Sequence, residues 1–486
     1  MPDLLANQHP SLVLDTPASQ QFHAWLEAFN AQDREKLAAY HASNFPYDVA
    51  SDDVANIDRE LGLSRGTGGF HIIEVEKSSK DGQGDENDTI VVLLREKQQL
   101  QFARAMMQVD PSQRNYPVSK FEIAPTVTPI KYVPEERKKE YEKALAPPTP
   151  ETRHKVVSEL CEVVRQRYIF PEVGEKMISQ LRAKELNGEY SEYTNSEEWA
   201  KCLTKDMIAV SKDKHIRIVF AAPPARVVVD GDGDDHNVPP EFFDVIKDHN
   251  FGFRAPSVEV IRGQKIGLLP IDGFVPSLPS EHPIHEKIRK AIGDIVSRIA
   301  DADALLIDLR MNHGGDPSTV AFVLSYFLDD GPVHLNDFVD RNGTVKKSFS
   351  TLPAAELPNG TARFGGSKPV YVLTSKDTVS GGEDMAYDLQ ALRRARAVVG
   401  TSHTTAGAAN PVMERSTICE EGFGKDWWHV AIPDMQPVNA VTKGNWEGVG
   451  VKSDIVVEQD QDPVDVATRL AMKELEAGID VVVQGD

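Results

Sequence analysis

The chain holds 486 residues, 40% of them apolar and 26% charged, which is enough for about two to four domains with substantial cores. Its net charge of −22 argues against nucleic acid or an anionic membrane as the main partner. The opening residues, MPDLLANQHPSLVLD, lack the basic and apolar regions of a secretory signal, and no stretch reaches the roughly 20 apolar residues of a membrane span.

In chain order, 1–14 reads as an N-terminal arm and 15–125 as an α+β domain. Phe22, Trp25, Leu26 and Phe29 fall on one helix face. Strand-like runs follow at Gly69–Val75, Thr89–Leu94, Gln101–Val109 and Lys120–Ala124. This order of elements resembles a nuclear-transport-factor-2-like cone. Residues 126–150 form a proline-rich, charged linker ending at Thr149-Pro150, a helix N-cap followed by proline.

Residues 151–222 read as helical, broken at Phe170-Pro171, with a closing strand at Ile216–Phe220. Residues 223–257 form an acidic connector rich in Gly and Pro. Its Asp230-Gly231-Asp232-Gly233-Asp234-Asp235 run lacks the glycine and flanking helices of an EF-hand, so a solvated acidic loop is expected. From 258 to 486 short apolar strands alternate with helices. Ser257–Ile261 and Lys265–Ile271 form a hairpin, Ala304–Leu309, Val370–Leu373 and Ala397–Val399 are strands, and the last helix runs from Pro463 to Ala477. The alternation predicts a largely parallel, buried sheet with crossover helices. Cys161, Cys202 and Cys419 are too scattered for a disulfide framework or a CxxC metal pair, and suit a reducing compartment.

Two turns after buried strands can carry chemistry. In Thr374–Glu383, Ser380 stands at a helix start, where its hydroxyl can project above the sheet edge and free N–H groups can meet negative charge. An ordinary N-cap serine fits the same segment. In Asp308–Pro317, Gly314 and Gly315 can turn backbone N–H groups toward an anion. No Walker lysine follows, so an oxyanion hole fits better than a phosphate cradle. A serine needs a base. His215, at the entrance to a strand, is a candidate, and Glu447, in Gly444–Gly450, could orient it.

As a set, these segments resemble peptidase family S41, which includes the tail-specific proteases, the tricorn protease and the interphotoreceptor retinoid-binding modules. The resemblance runs from about Val157 to Ala471 and rests on Tyr168–Pro171, Asp213–Arg217, Ile271–Phe274, Asp308–Arg310 with Asn312 and Gly314-Gly315, Ser380 with Glu383, and Asn445–Val451. It implies a ClpP/crotonase-like core after a small helical domain, and peptide hydrolysis through an acyl-enzyme on Ser380. One scheme of the family pairs the serine with a lysine about 25 residues downstream. Here that position is Thr405. The tricorn scheme uses His, Ser and Glu, and by it His215 would be the base, Glu447 its orienter, and Gly314, Gly315 and Gly381 the oxyanion hole and substrate-backbone contacts.

Departures lie at Lys214, where the tricorn scheme has serine, at Asn410, where retinoid-binding-like members often have histidine, and at Val379 before the serine. Only about 40 residues separate Phe220 from Val260, too few for a PDZ domain. The expected function is therefore a serine peptidase taking a peptide or small acyl substrate. The expectation includes no metal or cofactor, no nucleic acid and no membrane, a cytoplasmic site, and room for a homo-oligomer. Two alternatives remain: a non-catalytic binder of an apolar ligand on the same fold, and a hydrolase of small esters or amides.

Overall fold

The computed structural model describes residues 15–45, 53–78, 88–97, 101–221, 243, 246–247, 250–419, 427–458 and 461–477. The acidic run at 230–235 lies outside them. The chain divides into two compact units, Met1–Glu142 and Lys143–Asp486.

In the first unit, Thr16 caps α1 (Pro17–Asn30), with Pro17 in the first turn. Helices α2 (Arg34–Asn44) and α3 (Asp53–Thr67) follow. Strands β1 (Phe70–Ser78), β2 (Asp88–Glu96), β3 (Phe102–Val109) and β4 (Val118–Thr126) then form an antiparallel meander in sequence order. The predicted stripe Phe22, Trp25, Leu26 and Phe29 is buried against Val92, Ala105 and Met107 of the sheet.

The second unit opens with α4 (Pro150–Arg167), α5 (Pro171–Leu186) and α6 (Ser196–Ser211). The Thr149 hydroxyl accepts the Thr152 N–H at the start of α4, as the Thr-Pro pair predicts. Strand β5 (Arg217–Phe220) comes next.

The main sheet runs β16-β12-β11-β8-β7-β6. Its strands are β6 (Ser257–Ile261), β7 (Gln264–Pro270), β8 (Ala304–Asp308), β11 (Val370–Thr374), β12 (Ala397–Gly400) and β16 (Ile455–Val456). Only β6 lies antiparallel to its neighbour. Every residue of β8 and of β11 is buried. Alternate residues serve opposite faces. Leu305, Ile307, Val370 and Val372 pack in the core that also holds residues of α7 (His285–Ser297), α8 (Pro317–Leu324) and α9 (Gly381–Ala391). Leu306, Tyr371 and Leu373 pack with Ala467 and Ala471 of α10 (Pro463–Ala477). A mixed, mainly parallel α/β sheet covered on both faces is therefore present.

Two small antiparallel sheets complete the unit. One is β10 (Val345–Ser350), β9 (His334–Asp340) and β15 (Met435–Asn439). The other joins β13 (Arg415–Ile418) and β14 (Trp428–Ala431) to β5, so a strand from the helical segment is tied to residues some 200 positions later in sequence. Among the described residues, no helix is long and apolar enough to cross a membrane.

Candidate active site

Strand β11 ends at Thr374, and the chain turns before entering α9 at Gly381. Ser375 Oγ donates to Arg310 O and Thr378 Oγ1 donates to Leu309 O, which ties this turn to the one after β8. Val379 N–H also donates to Asn312 O. Ser380 stands at the N-cap with φ 53° and ψ −118°. An ordinary N-cap is extended. A serine held at positive φ is strained, and such strain gathers at functional turns.

Glu383, fully buried one turn later, holds this conformation from below. Its carboxylate accepts the N–H groups of Ser380, Gly407 and Ala408 and the Thr405 hydroxyl. Burial raises its pKa, and those four donors work against the rise. Thr405, the position where the lysine scheme would put its base, is thus a ligand of this buried carboxylate.

Gly314 and Gly315 press against the serine turn. Both have positive φ, 95° and 130°. A Cβ on Gly314 would lie 2.8 Å from Ser380 Cβ. One on Gly315 would lie 2.0 Å from Phe274 O. The Gly314 N–H donates to Asn312 Oδ1. The Gly315 and Gly381 N–H groups meet no acceptor among the described residues. Gly381 also opens α9, where the helix dipole favours negative charge. Of the three glycines, Gly315 and Gly381 thus keep free donors, and Gly314 provides clearance.

His215 and Ser380 lie 165 positions apart in the chain, yet both line one cleft of about 890 Å³ together with Gly315 and Gly381. The His215 N–H donates to Asp213 Oδ1, which fixes the entry to β5. The side chain keeps 21% of its surface exposed, while its Nδ1 is buried without a hydrogen bond. Asp213 Oδ1 stands 3.9 Å from that nitrogen. Glu447 Oε2 accepts the N–H groups of Ala409 and Asn410. Asp213, His215 and Glu447 present side-chain atoms within 4.8 Å of one another, close enough to hold a metal ion as well as to orient an imidazole. Neither carboxylate reaches hydrogen-bond distance of the His215 imidazole.

Charge loss on burial dominates the electrostatics here. Burial, and then the neighbouring Arg217, pulls His215 down to about 4. Burial, and then the Asp213 charge, pushes Glu447 up to about 7. Asp213 is also raised, by burial. The imidazole is therefore neutral and able to accept a proton at pH 7.

Two residues of this site belong to the motifs that carry the family resemblance but have no individual role legible in the sequence. Asp213 stands two before a strand-entry histidine. Glu383 is an acid in the first turn of a helix, a place where acids are common. Asn312 is a third: fully buried, it donates to Ile271 O while receiving the Gly314 N–H, and so shapes the glycine turn.

Residues 265–457 match peptidase family S41, and residues 149–249 match the N-terminal domain of that family in eukaryotic IRBP. Together the matches cover more than half of the chain. Solved structures with a similar arrangement include a lipoprotein from Streptococcus agalactiae, with 15% identity over 68% of this chain and 98% of that one and a TM-score of 0.40. The photosystem II D1 C-terminal processing protease shows 13% identity over 65% and 96%, with a TM-score of 0.39. The tricorn protease shows 11% identity over 84% and 45%, with a TM-score of 0.39. On the two matched segments, the chain belongs to peptidase family S41, a family of serine peptidases.

Proposed function

We propose that the protein hydrolyses peptide bonds through an acyl-enzyme on Ser380. The observation that carries this reading is the strained Ser380 at the head of α9, sharing a cleft with neutral His215 and flanked by the unpaired Gly315 and Gly381 N–H groups. Ser380 Oγ attacks the scissile carbonyl carbon while His215 takes the hydroxyl proton. The carbonyl oxygen gains negative charge and receives the two N–H groups. Collapse of the tetrahedral species breaks the C–N bond, and His215 returns the proton to the leaving amine. Water then attacks the ester by the same route and restores Ser380.

Glu447 is the orienting carboxylate in this scheme, and Asp213 supports it from the other side. The scheme uses no metal. The main sheet with α7–α10 is read as a ClpP/crotonase-like core, and the four-stranded meander with α1–α3 as a nuclear-transport-factor-2-like domain. The three free cysteines suit a reducing compartment such as the cytoplasm.

The test is covalent labelling of the intact protein by a fluorophosphonate, followed by a peptide-library digest. Wild type should label once, Ser380→Ala should not label, and the library should show new termini. Labelling without new peptide termini would leave a hydrolase of small esters or amides. Labelling that survives Ser380→Ala would remove the nucleophile.

A further inference from the structure

The chain carries 75 acidic residues against 53 Lys and Arg, yet among the described residues the cleft that holds Ser380 is lined by Lys214, Arg217, Lys347 and Arg415 and by two acids. Those two acids are turned to other work. Asp316 accepts the N–H groups of Ser277 and Ser318, and Asp384 takes the Asn336 amide from within the core.

The basic residues are set out by strand register. Arg415 pairs with Ala431, which pairs in turn with Arg217, so two guanidiniums leave the same face of the small sheet on either side of an alanine. With neighbouring strands about 4.8 Å apart, their Cα atoms are roughly 10 Å apart. Val219 and His429, one step along on the same face, continue the wall of the cleft. Arg217 and Lys347 are exposed and form no ion pair among the described residues. Lys347 instead lies over the Phe349 ring at 5.1 Å, and both line the cleft.

We propose that this cleft selects acidic peptides, with Asp or Glu side chains flanking the bond presented to Ser380 and seated on Arg217 and Lys347. The inference rests on the peptidase reading for its chemistry, but the binding preference stands on the cleft itself. A cationic, partly enclosed cleft concentrates anions, the more so within an acidic molecule whose remaining surface repels them. A second consequence concerns the base. Arg217 is one cause of the low His215 pKa. A substrate carboxylate against Arg217 offsets that charge and makes the imidazole a better proton acceptor as the cognate peptide binds.

The test uses the full-length Ser380→Ala protein and three dye-labelled peptides: a Glu-containing sequence, its Gln isostere and its Lys counterpart. Fluorescence anisotropy should show the Glu peptide binding about tenfold tighter than the Gln peptide at low salt, and the Lys peptide weakest. The gap should close in about 0.5 M NaCl and in Arg217→Gln/Lys347→Gln, with the thermal midpoint of that variant unchanged. Equal binding of the three peptides, no binding at all, or a gap that survives the double substitution would overturn the proposal. If the Glu peptide is preferred but the wild type cleaves no peptide, selection of acidic chains stands and the peptidase reading fails.

Discussion

Burial acts on Glu447 and His215 in opposite directions, because in each case the charged form is the one that loses water. His215, pulled down to about 4, is neutral across the working range, whereas Glu447, pushed up to about 7, changes charge within it. If Glu447 steadies the imidazolium that forms during attack, it does so only when ionised. The kcat/KM profile of wild type should therefore climb through about pH 7. Glu447→Gln should lower the plateau by roughly 10- to 100-fold and erase that limb, leaving one near pH 4 from His215. Asp213→Asn should move the limb below 7, because the Asp213 charge is one cause of the Glu447 shift. A wild-type profile flat from pH 5 to 9, probed on any hydrolysed substrate, would exclude this role for Glu447.

The same shift has a stability consequence with a definite sign. A raised carboxyl pKa gives stability that is full below the unfolded value, near 4.5, and is lost as pH rises through the folded value, near 7. Gln cannot ionise, so Glu447→Gln removes that loss. Thermal melts should show the variant gaining on wild type between pH 4.5 and 7, with a constant difference above. His215 works the other way. Its lowered pKa gives stability present above about 6.5 and lost as pH falls toward 4, so His215→Gln should resist acid better than wild type over that interval.

At the level of elements, the site is made where two strand-to-helix turns meet, and the glycine turn is the less tolerant. Gly315 has φ 130°, and its Cβ position lies 2.0 Å from Phe274 O, whose carbonyl also accepts the Asp316 N–H. Gly315→Ala must displace that backbone. The expected cost is about 2 kcal/mol or more in denaturant unfolding and roughly 100-fold or more in kcat, because one oxyanion donor moves with it. Gly448 is a fair control. It too has positive φ, 72°, but nothing stands within 4 Å of its Cβ position. Gly448→Ala should cost only about 1 kcal/mol.

Several helices and strands were legible from local sequence pattern alone. The stripe on α1, the Thr149 cap and the all-apolar β8 and β11 each follow from local pattern. What escaped was β9, β10 and β13 to β16. Segments such as Val345–Ser350 and Arg415–Ile418 are short and polar, with most of their residues at least partly exposed, and the partners of β14 and β15 in β5 and β9 lie far off in sequence. The site divides along the same line. Ser380 and the Gly-Gly turn are local signals, but the bonds from Glu383 to Gly407 and Ala408, and the closeness of Asp213 to Glu447, depend on long-range register.

At the scale of the molecule, the units Met1–Glu142 and Lys143–Asp486 carry separate cores. Among the described residues, the first core draws on residues from Ala18 to Ile123, and the cores beside the main sheet draw on residues from Phe243 onward. Every residue assigned here to chemistry or to substrate selection lies in the second unit. The first unit, at 142 residues, is itself of ordinary domain size. Two cores of this kind should unfold as separate cooperative transitions. Calorimetry of the full chain should resolve two heat-absorption peaks, and a chain of residues 143–486 should retain one of them at an unchanged temperature. That shorter chain should also react with a fluorophosphonate at a rate within about twofold of the full chain, since the hydrogen bonds described for the Ser380 turn and for His215 lie within that unit. Loss of labelling together with loss of the retained transition would mean that the first unit stabilises the second. Loss of labelling with the transition intact would mean that residues 1–142 shape the reactive serine itself.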